Sequence, residues 1–275
     1  MTTTPNPPAF EAAVRAYLEP VRTQFNYAQM LHTFLSVDRF RTWAALVDRY
    51  RPVGGARFLS SGCGYAGSLL AYADAGAAQV TGVEVDPEYV RFGQLRVEGM
   101  DNAQVLGTDG GRLPFADGTF DIIESMDVIE HTDDPDAYLS ELTRVLAHDG
   151  AILLVTPNRL WPVEQHLGFA GPPWLHVKAA DRLFGAMSRM PGMPDDRAFK
   201  YRKLAGMRTQ NISMRTLRRL AQRHGLFLQV PPASQHADRW PLPRHSAWLE
   251  RMAAHRFGSL VAPVRTLVAV LTRPS

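Results

Sequence analysis

Two stretches constrain the fold of this chain more than any other: Arg57-Phe-Leu-Ser-Ser-Gly-Cys-Gly-Tyr-Ala-Gly67 and, downstream, Val80-Thr-Gly-Val-Glu-Val-Asp86. In the first, an apolar entry (Phe58, Leu59) runs into three glycines and then a helix-forming Ser68-Leu-Leu-Ala-Tyr-Ala-Asp74. That order reads as strand, tight turn, helix. Glycine is needed where the backbone turns sharply and a ligand comes close, because a Cβ blocks both. The helix N-terminus behind the turn presents unpaired N–H groups. Glu84 ends the second apolar segment 22 residues after Gly62, where a carboxylate can accept two ribose hydroxyls. Together these features predict a nucleoside-binding site on an open α/β sheet. The bland alternative is a glycine-rich surface turn that binds nothing, and the flanking strand, helix and acid weigh against it.

The spacing Gly62-x-Gly64-x-x-Gly67 does not choose the nucleoside, since it fits a dinucleotide fingerprint as well. The next hundred residues are more selective. They read Gly107-Thr-Asp-Gly-Gly-Arg-Leu-Pro-Phe115, Gly118-Thr-Phe-Asp-Ile-Ile-Glu-Ser125, Val128-Ile-Glu-His131, Leu142-Thr-Arg-Val-Leu146 and Asp149-Gly-Ala-Ile-Leu-Leu-Val-Thr-Pro-Asn158. This series resembles class I S-adenosylmethionine (SAM)-dependent methyltransferases, especially the branch that includes quinone-biosynthesis methyltransferases. The resemblance is close over residues 55–158 and looser over 213–230. NAD-binding domains do not share the Leu-Pro-Phe and Phe-Asp pieces in this order. The resemblance implies a Rossmann-like, seven-stranded, mostly parallel sheet with helices on both faces. It places Ser60, Gly62, Cys63 and Gly64 around the methionine part of SAM, and Glu84 with Val85 at the ribose. Asp109 and Gly110 fall at the adenine edge, and Ser125, Met126 and Asp127 beside the methyl donor.

The residues support these placements independently. Asp109 follows a short strand (103–106) in a glycine-rich turn, where its carboxylate can accept from an exocyclic amine; an ordinary Asx-turn is the alternative. Glu84 could cap the next helix, but Asp86-Pro87 has the form of an N-cap followed by proline at the first helical position. On that reading Glu84 is left free for the ligand. One position departs from the family pattern. Two residues before Gly62, where an Asp or Glu helps orient the ligand's amino group, stands Ser60. Water or another carboxylate has to take that place. Cys63, the single cysteine, is read as a small residue that fits the loop, with no chemistry of its own.

At 275 residues the chain can hold one well-buried α/β domain with accessory elements, or two small ones. A single cysteine excludes an intramolecular disulfide framework and suits a reducing cytoplasm. Residues 1–8 lack the basic and apolar regions of a signal peptide. The apolar run at 260–271 is interrupted by Pro263 and Arg265 and is too short to span a bilayer. We therefore expect a cytoplasmic protein. The net charge of +3 hides an asymmetry: residues 1–196 balance at −10 and residues 197–275 at +13. Between 197 and 223 there are nine basic residues and no acid. Such a run suits nucleic acid, an anionic surface or an acidic partner, or is a solvated face neutralising the acidic half.

The organisation follows from periodicity and punctuation. Residues 1–51 form an N-terminal helical cap, and 52–158 a cofactor-binding core with strands around 57–60, 79–84, 103–106, 120–125 and 151–155. Residues 159–206 carry seven punctuating prolines and tryptophans, and form an insertion read as a lid over the acceptor or as a packed structural excursion. Residues 207–275 complete the sheet, with a capped amphipathic helix at 213–224, a sixth strand at 226–230 and a seventh at 266–272.

Just past the fourth strand lies the titratable cluster Asp127, Glu130 and His131. Methyl transfer is an in-line displacement that needs alignment and exclusion of water, and a general base only where the acceptor atom carries a proton. His131 is the candidate base. The Asp-x-x-Glu-His spacing also resembles a Glu-x-x-Glu-His motif that binds a divalent metal in some quinone and RNA 2′-O-methyltransferases, with Asp in place of the first Glu. The further histidine of those relatives is missing here, and His166 or His176 would have to substitute. Base, metal ligand (Asp127, Glu130, His131, His166) and structural residue remain open. The function expected is methylation of a small hydrophobic or amphipathic acceptor at oxygen. An RNA 2′-O-methyltransferase, a non-catalytic SAM-binding protein and an NAD-dependent oxidoreductase are the alternatives.

Overall fold

Short apolar runs, bounded by glycine or by Asp-Pro, set the elements of the core. The computed structural model describes residues 4–23, 27–158, 163–164, 169–170, 177–194, 198, 201, 212–232 and 266–274. The cap contains α1 (Pro8–Leu18), α2 (Tyr27–Leu35) and α3 (Asp38–Val47). The core then alternates as β1 (Arg57–Ser61), α4 (Gly67–Asp74), β2 (Gln79–Glu84), α5 (Pro87–Arg96), β3 (Ala103–Gly107), β4 (Phe120–Met126), α6 (Pro135–Val145) and β5 (Leu146–Pro157). Within the insertion lie a two-stranded hairpin, β6 (Val163–Glu164) with β7 (Phe169–Ala170), and α7 (Val177–Met187). The chain closes with α8 (Met214–Arg223), β8 (Phe227–Gln229) and β9 (Thr266–Thr272).

The expected helix starts are observed. Asp86 accepts from Glu88 N and Tyr89 N, Asp134 from Asp136 N and Ala137 N, and Ser213 from Thr216 N, each satisfying orphan donors of a first turn. The fifth strand starts earlier than expected, at Leu146, because four residues, 147–150, bulge between the Phe120–Leu146 and Ile122–Ala151 pairs.

Seven strands form one sheet in the order β3-β2-β1-β4-β5-β9-β8. The first five pair in parallel, while β9 runs antiparallel to both β5 and β8. The last strand in sequence is therefore threaded inside the sheet. The order reverses between β1 and β4, and loops leaving those strands diverge in opposite directions to open a crevice at their C-terminal ends. Side chains alternate between the faces. Phe58 and Ile122 face a cluster with Phe40 and Trp43 of α3 and Leu69 and Leu70 of α4. Leu59 and Ile123 face Leu139 and Leu142 of α6 and Leu217 and Leu220 of α8. The opposite side of α8 exposes Arg215, Arg218 and Arg219. A third cluster, Phe10, Val14, Leu18, Phe34 and Phe92, fastens the cap to α5.

Candidate functional site

The turn after β1 is built to leave space. Gly62 and Gly64 take positive φ, +72° and +53°, and a Cβ on Gly62 would collide with Val128 of the loop after β4. The residue that turns the chain into α4 is Ala66, with φ 56°, a conformation an L side chain adopts at a cost. No side chain caps α4, in contrast to α5, α6 and α8. Its first-turn N–H groups, with their partial positive charge, are thus directed at the crevice.

Glu84 sits at the tip of β2 and is only 8% exposed. Asp86 does supply the helix cap, but Glu84 is not left free as expected. Its Oε2 accepts from Gly64 N at 2.8 Å, and its Oε1 from Val85 N at 2.8 Å and Asp86 N at 3.1 Å. A carboxylate has about four acceptor positions, so the remaining capacity is small and sharply directed. The same bonds tie β2 to the glycine loop. Beyond Glu84, Val85 is 60% exposed, and a Cβ on Gly110 would lie 3.5 Å from its Cγ1. An apolar side chain and the Asp109 turn are thereby brought to one place. Asp109 forms the Asx-turn, its Oδ1 accepting from Gly111 N at 2.9 Å.

Cys63 is packing. Its Sγ fills the space that a Cβ on Gly82 would take, and burial pushes its thiol far up, out of the reactive range. Ser60 and Ser125 are both buried, on opposite faces of the sheet. Met126 is half-buried at the strand end. Asp127 is exposed and holds φ 55° at the exit of β4, a second strained backbone position beside the crevice.

The Asp127, Glu130 and His131 cluster does not converge as expected. Ile129, Glu130 and His131 form a 3-10 turn, which buries Glu130 and leaves His131 half-buried. Glu130 accepts from the Thr156 hydroxyl at 2.9 Å, and its other oxygen lies 3.9 Å from His131 Nε2. Among the described residues no three His, Cys, Asp or Glu side chains gather as a metal site. His166 and His176 lie outside the described residues.

Residues 59–154 match the family described as a methyltransferase domain. Over 114 residues the chain is 31% identical to ajmaline N-methyltransferase of Rauvolfia serpentina, covering 40% of this chain and 39% of that protein. It is 31% identical over 124 residues to demethylmenaquinone methyltransferase of Clavibacter sepedonicus, covering 45% and 50%. The chain thus spans half or less of the length of these curated relatives. A solved SAM-dependent methyltransferase from Mesorhizobium loti shares the fold, with a TM-score of 0.56 at 18% identity over 86% of this chain and 100% of that one. Residues 59–154 are a methyltransferase domain, on a fold shared with SAM-dependent methyltransferases.

Around this methyltransferase domain the structure adds residues that the sequence did not single out. Arg96 of α5 is buried and donates to Phe34 O at 2.8 Å, Leu35 O at 2.9 Å and Tyr65 O at 3.2 Å, joining the end of α2 to the glycine loop. Tyr65 itself stacks on Phe34 with ring centroids 4.7 Å apart. Tyr138 of α6 reaches across to β1 and β4, and Glu124 lies inside β4 beside Ser60. Only Glu124 had a signal in the sequence: an acid in an apolar strand. No helix among the described residues is long and apolar enough to cross a membrane.

Proposed function

We propose that this chain is a SAM-dependent methyltransferase acting on a small hydrophobic or amphipathic acceptor, at oxygen. The observation that carries the reading is the closure of Glu84 onto Gly64 beside an uncapped α4, which joins a carboxylate and open N–H groups in one crevice. Gly62, Cys63, Gly64 and the α4 N-terminus would hold the amino-acid end of SAM, Glu84 the ribose, and Val85 with Asp109 the adenine. When bound, SAM supplies a methyl carbon already activated by its sulfonium. The chain's own part is alignment, exclusion of water and removal of the acceptor's proton. His131 is the group we assign to that proton. An imidazole accepts one at neutral pH, and the Glu130 carboxylate 3.9 Å away favours the imidazolium that results. Residues 159–206 would cover the acceptor.

Calorimetry should find SAM binding and no NAD binding, with Glu84→Ala weakening SAM by roughly 10–100-fold, the worth of a charge-assisted hydrogen bond. Tighter binding of NAD would overturn the reading. His131→Ala should lower the maximal rate by about 10²–10⁴-fold while leaving SAM affinity intact. Loss of bound metal with it would make His131 a ligand, and an earlier melt with an unchanged rate per folded molecule would make it structural. The exposed Arg215, Arg218 and Arg219 favour a second reading, an RNA acceptor. A gel shift without salt-sensitive RNA binding would remove it.

A further inference from the structure

Glu124 lies at the centre of β4, is 1% exposed, and has no part in the roles assigned above. The register of β1 and β4 sets it beside Ser60. The Ser60 hydroxyl donates to Glu124 Oε1 at 3.4 Å and accepts from Ser68 Oγ, in the first turn of α4, at 3.2 Å. A chain of polar atoms therefore runs from the base of the glycine loop to the carboxylate. Glu124 Oε2 and the buried Tyr72 hydroxyl both fall short of full hydrogen-bond geometry, although the Ser68 and Tyr72 hydroxyls stand close enough to pull on the carboxylate. The other groups acting on it are Cys63 of the loop and Arg39 of α3, whose guanidinium lies 4.4 Å over the Phe40 ring and forms no ion pair with Glu124.

A buried, half-satisfied carboxylate is costly to the fold. Ile122 and Met126 flank it on the same face of β4, and its removal would relieve that cost. Its position supplies a reason for it. Ser60 leaves the end of β1 without a charge, and adjacent strands stand roughly 4.8 Å apart, so a glutamate on β4 reaches across to the space an acid on β1 would fill. A second carboxylate at 60 would be repelled by the first.

We propose that Glu124 is a positioning residue for the cofactor: from β4, through the Ser60 and Ser68 hydroxyls, it supplies the negative charge that steadies the ligand's ammonium group at the glycine loop. This rests on the reading of the chain as a SAM-dependent methyltransferase. Burial raises the Glu124 carboxyl to about 7 against the pull of Ser68, Arg39, Ser60 and Tyr72, so its charge appears as the pH passes neutrality.

The test compares two neutral-sulfur ligands by calorimetry: S-adenosylhomocysteine, which carries the ammonium group, and 5′-methylthioadenosine, which lacks the amino-acid end. Glu124→Gln should weaken S-adenosylhomocysteine by about tenfold and leave methylthioadenosine within roughly twofold. The exchange variant Ser60→Asp with Glu124→Gln, which moves the acid to β1, should restore the loss. In the wild type, affinity for S-adenosylhomocysteine should rise between about pH 6 and pH 8, and in Glu124→Gln it should stay flat. Equal binding of S-adenosylhomocysteine by wild type and Glu124→Gln, or equal loss of both ligands, would overturn the proposal. So would a pH profile that survives the substitution, which decides the matter even where the exchange variant does not fold. A wild type that binds neither ligand would instead overturn the methyltransferase reading.

Discussion

On its α6 face, the pair of strands β1 and β4 carries Ser61 and Ser125; on its α4 face, at neighbouring positions, it carries Ser60 and Glu124. Facing α6, the Tyr138 hydroxyl donates to Ser61 Oγ at 2.9 Å and lies 2.9 Å from Ser125 Oγ, closing a neutral chain. Burial pushes the Tyr138 hydroxyl up to about 12, so the Ser61–Tyr138–Ser125 hydroxyls stay neutral near neutral pH. Facing α4, the only bond to the carboxylate is a long one, and two buried oxygens are unmatched. Closed neutral chains stabilise a fold, whereas open charged ones weaken it and keep capacity for something else. The contrast separates polar residues that hold the sheet together from those available to a ligand.

The largest expected effect tests the charged face through stability alone. The Glu124 carboxyl moves from an ordinary value of 4.5 to about 7 on folding. Between those values the folded chain keeps a proton that the unfolded chain has released. The stabilisation of the neutral form is therefore present below about pH 4.5 and is lost as pH rises through about 7. Glu124→Gln, permanently neutral, should match the wild type near pH 5 and exceed it by up to about 3 kcal/mol at pH 8. Melting curves across that range check it, and a constant difference would mean that Glu124 does not titrate in the fold. The same substitution is expected to bind cofactor worse, so stability and binding should move in opposite directions.

Tyr138→Phe is the counterpart on the neutral face. It leaves Ser61 and Ser125 facing an apolar ring edge and should cost about 1–2 kcal/mol. The loss should be independent of pH from about 5 to 8, because neither the Tyr138 hydroxyl nor the two serines it joins titrate there. S-adenosylhomocysteine affinity should be nearly unchanged. A large drop in affinity at unchanged stability would erase the distinction between the faces and make Ser125 part of the ligand site.

How much of this was legible beforehand depends on whether the signal is local. The glycine loop, the Asp86-Pro87 and Asp134-Pro135 helix starts and the alternation of strands are properties of a few consecutive residues, and they were readable. The insertion of β9 between β5 and β8 is set by pairing across more than a hundred residues, and the sequence showed only a seventh strand. The same limit applies to the site. Ser60 announced a missing acid, but the register that brings Glu124 beside it exists only in the sheet. The reading of Glu84 as free failed for a local reason: backbone N–H groups of the turns on either side took its oxygens. Arg96 looks like any helix arginine until its three carbonyl acceptors come together around it.

Tyr72→Phe should have the smallest effect, and it bears most directly on the contrast. The ring stacks on Phe58 with centroids 3.6 Å apart, and phenylalanine keeps that contact. What is lost is a buried hydroxyl that pulls on the Glu124 carboxylate but falls short of a full hydrogen bond to it. Removing an unsatisfied polar group removes a desolvation cost, so the variant should be unchanged or more stable by up to about 1 kcal/mol. Thermal melts at about pH 5 and pH 8 distinguish this from the alternative. Should the hydroxyl close a bond to Glu124 once the carboxylate ionises, Tyr72→Phe would be destabilised at the higher pH only. The open chain under the glycine loop would then be as complete as the one under α6, and the case for Glu124 as a charge held for the ligand would rest on the binding measurements alone.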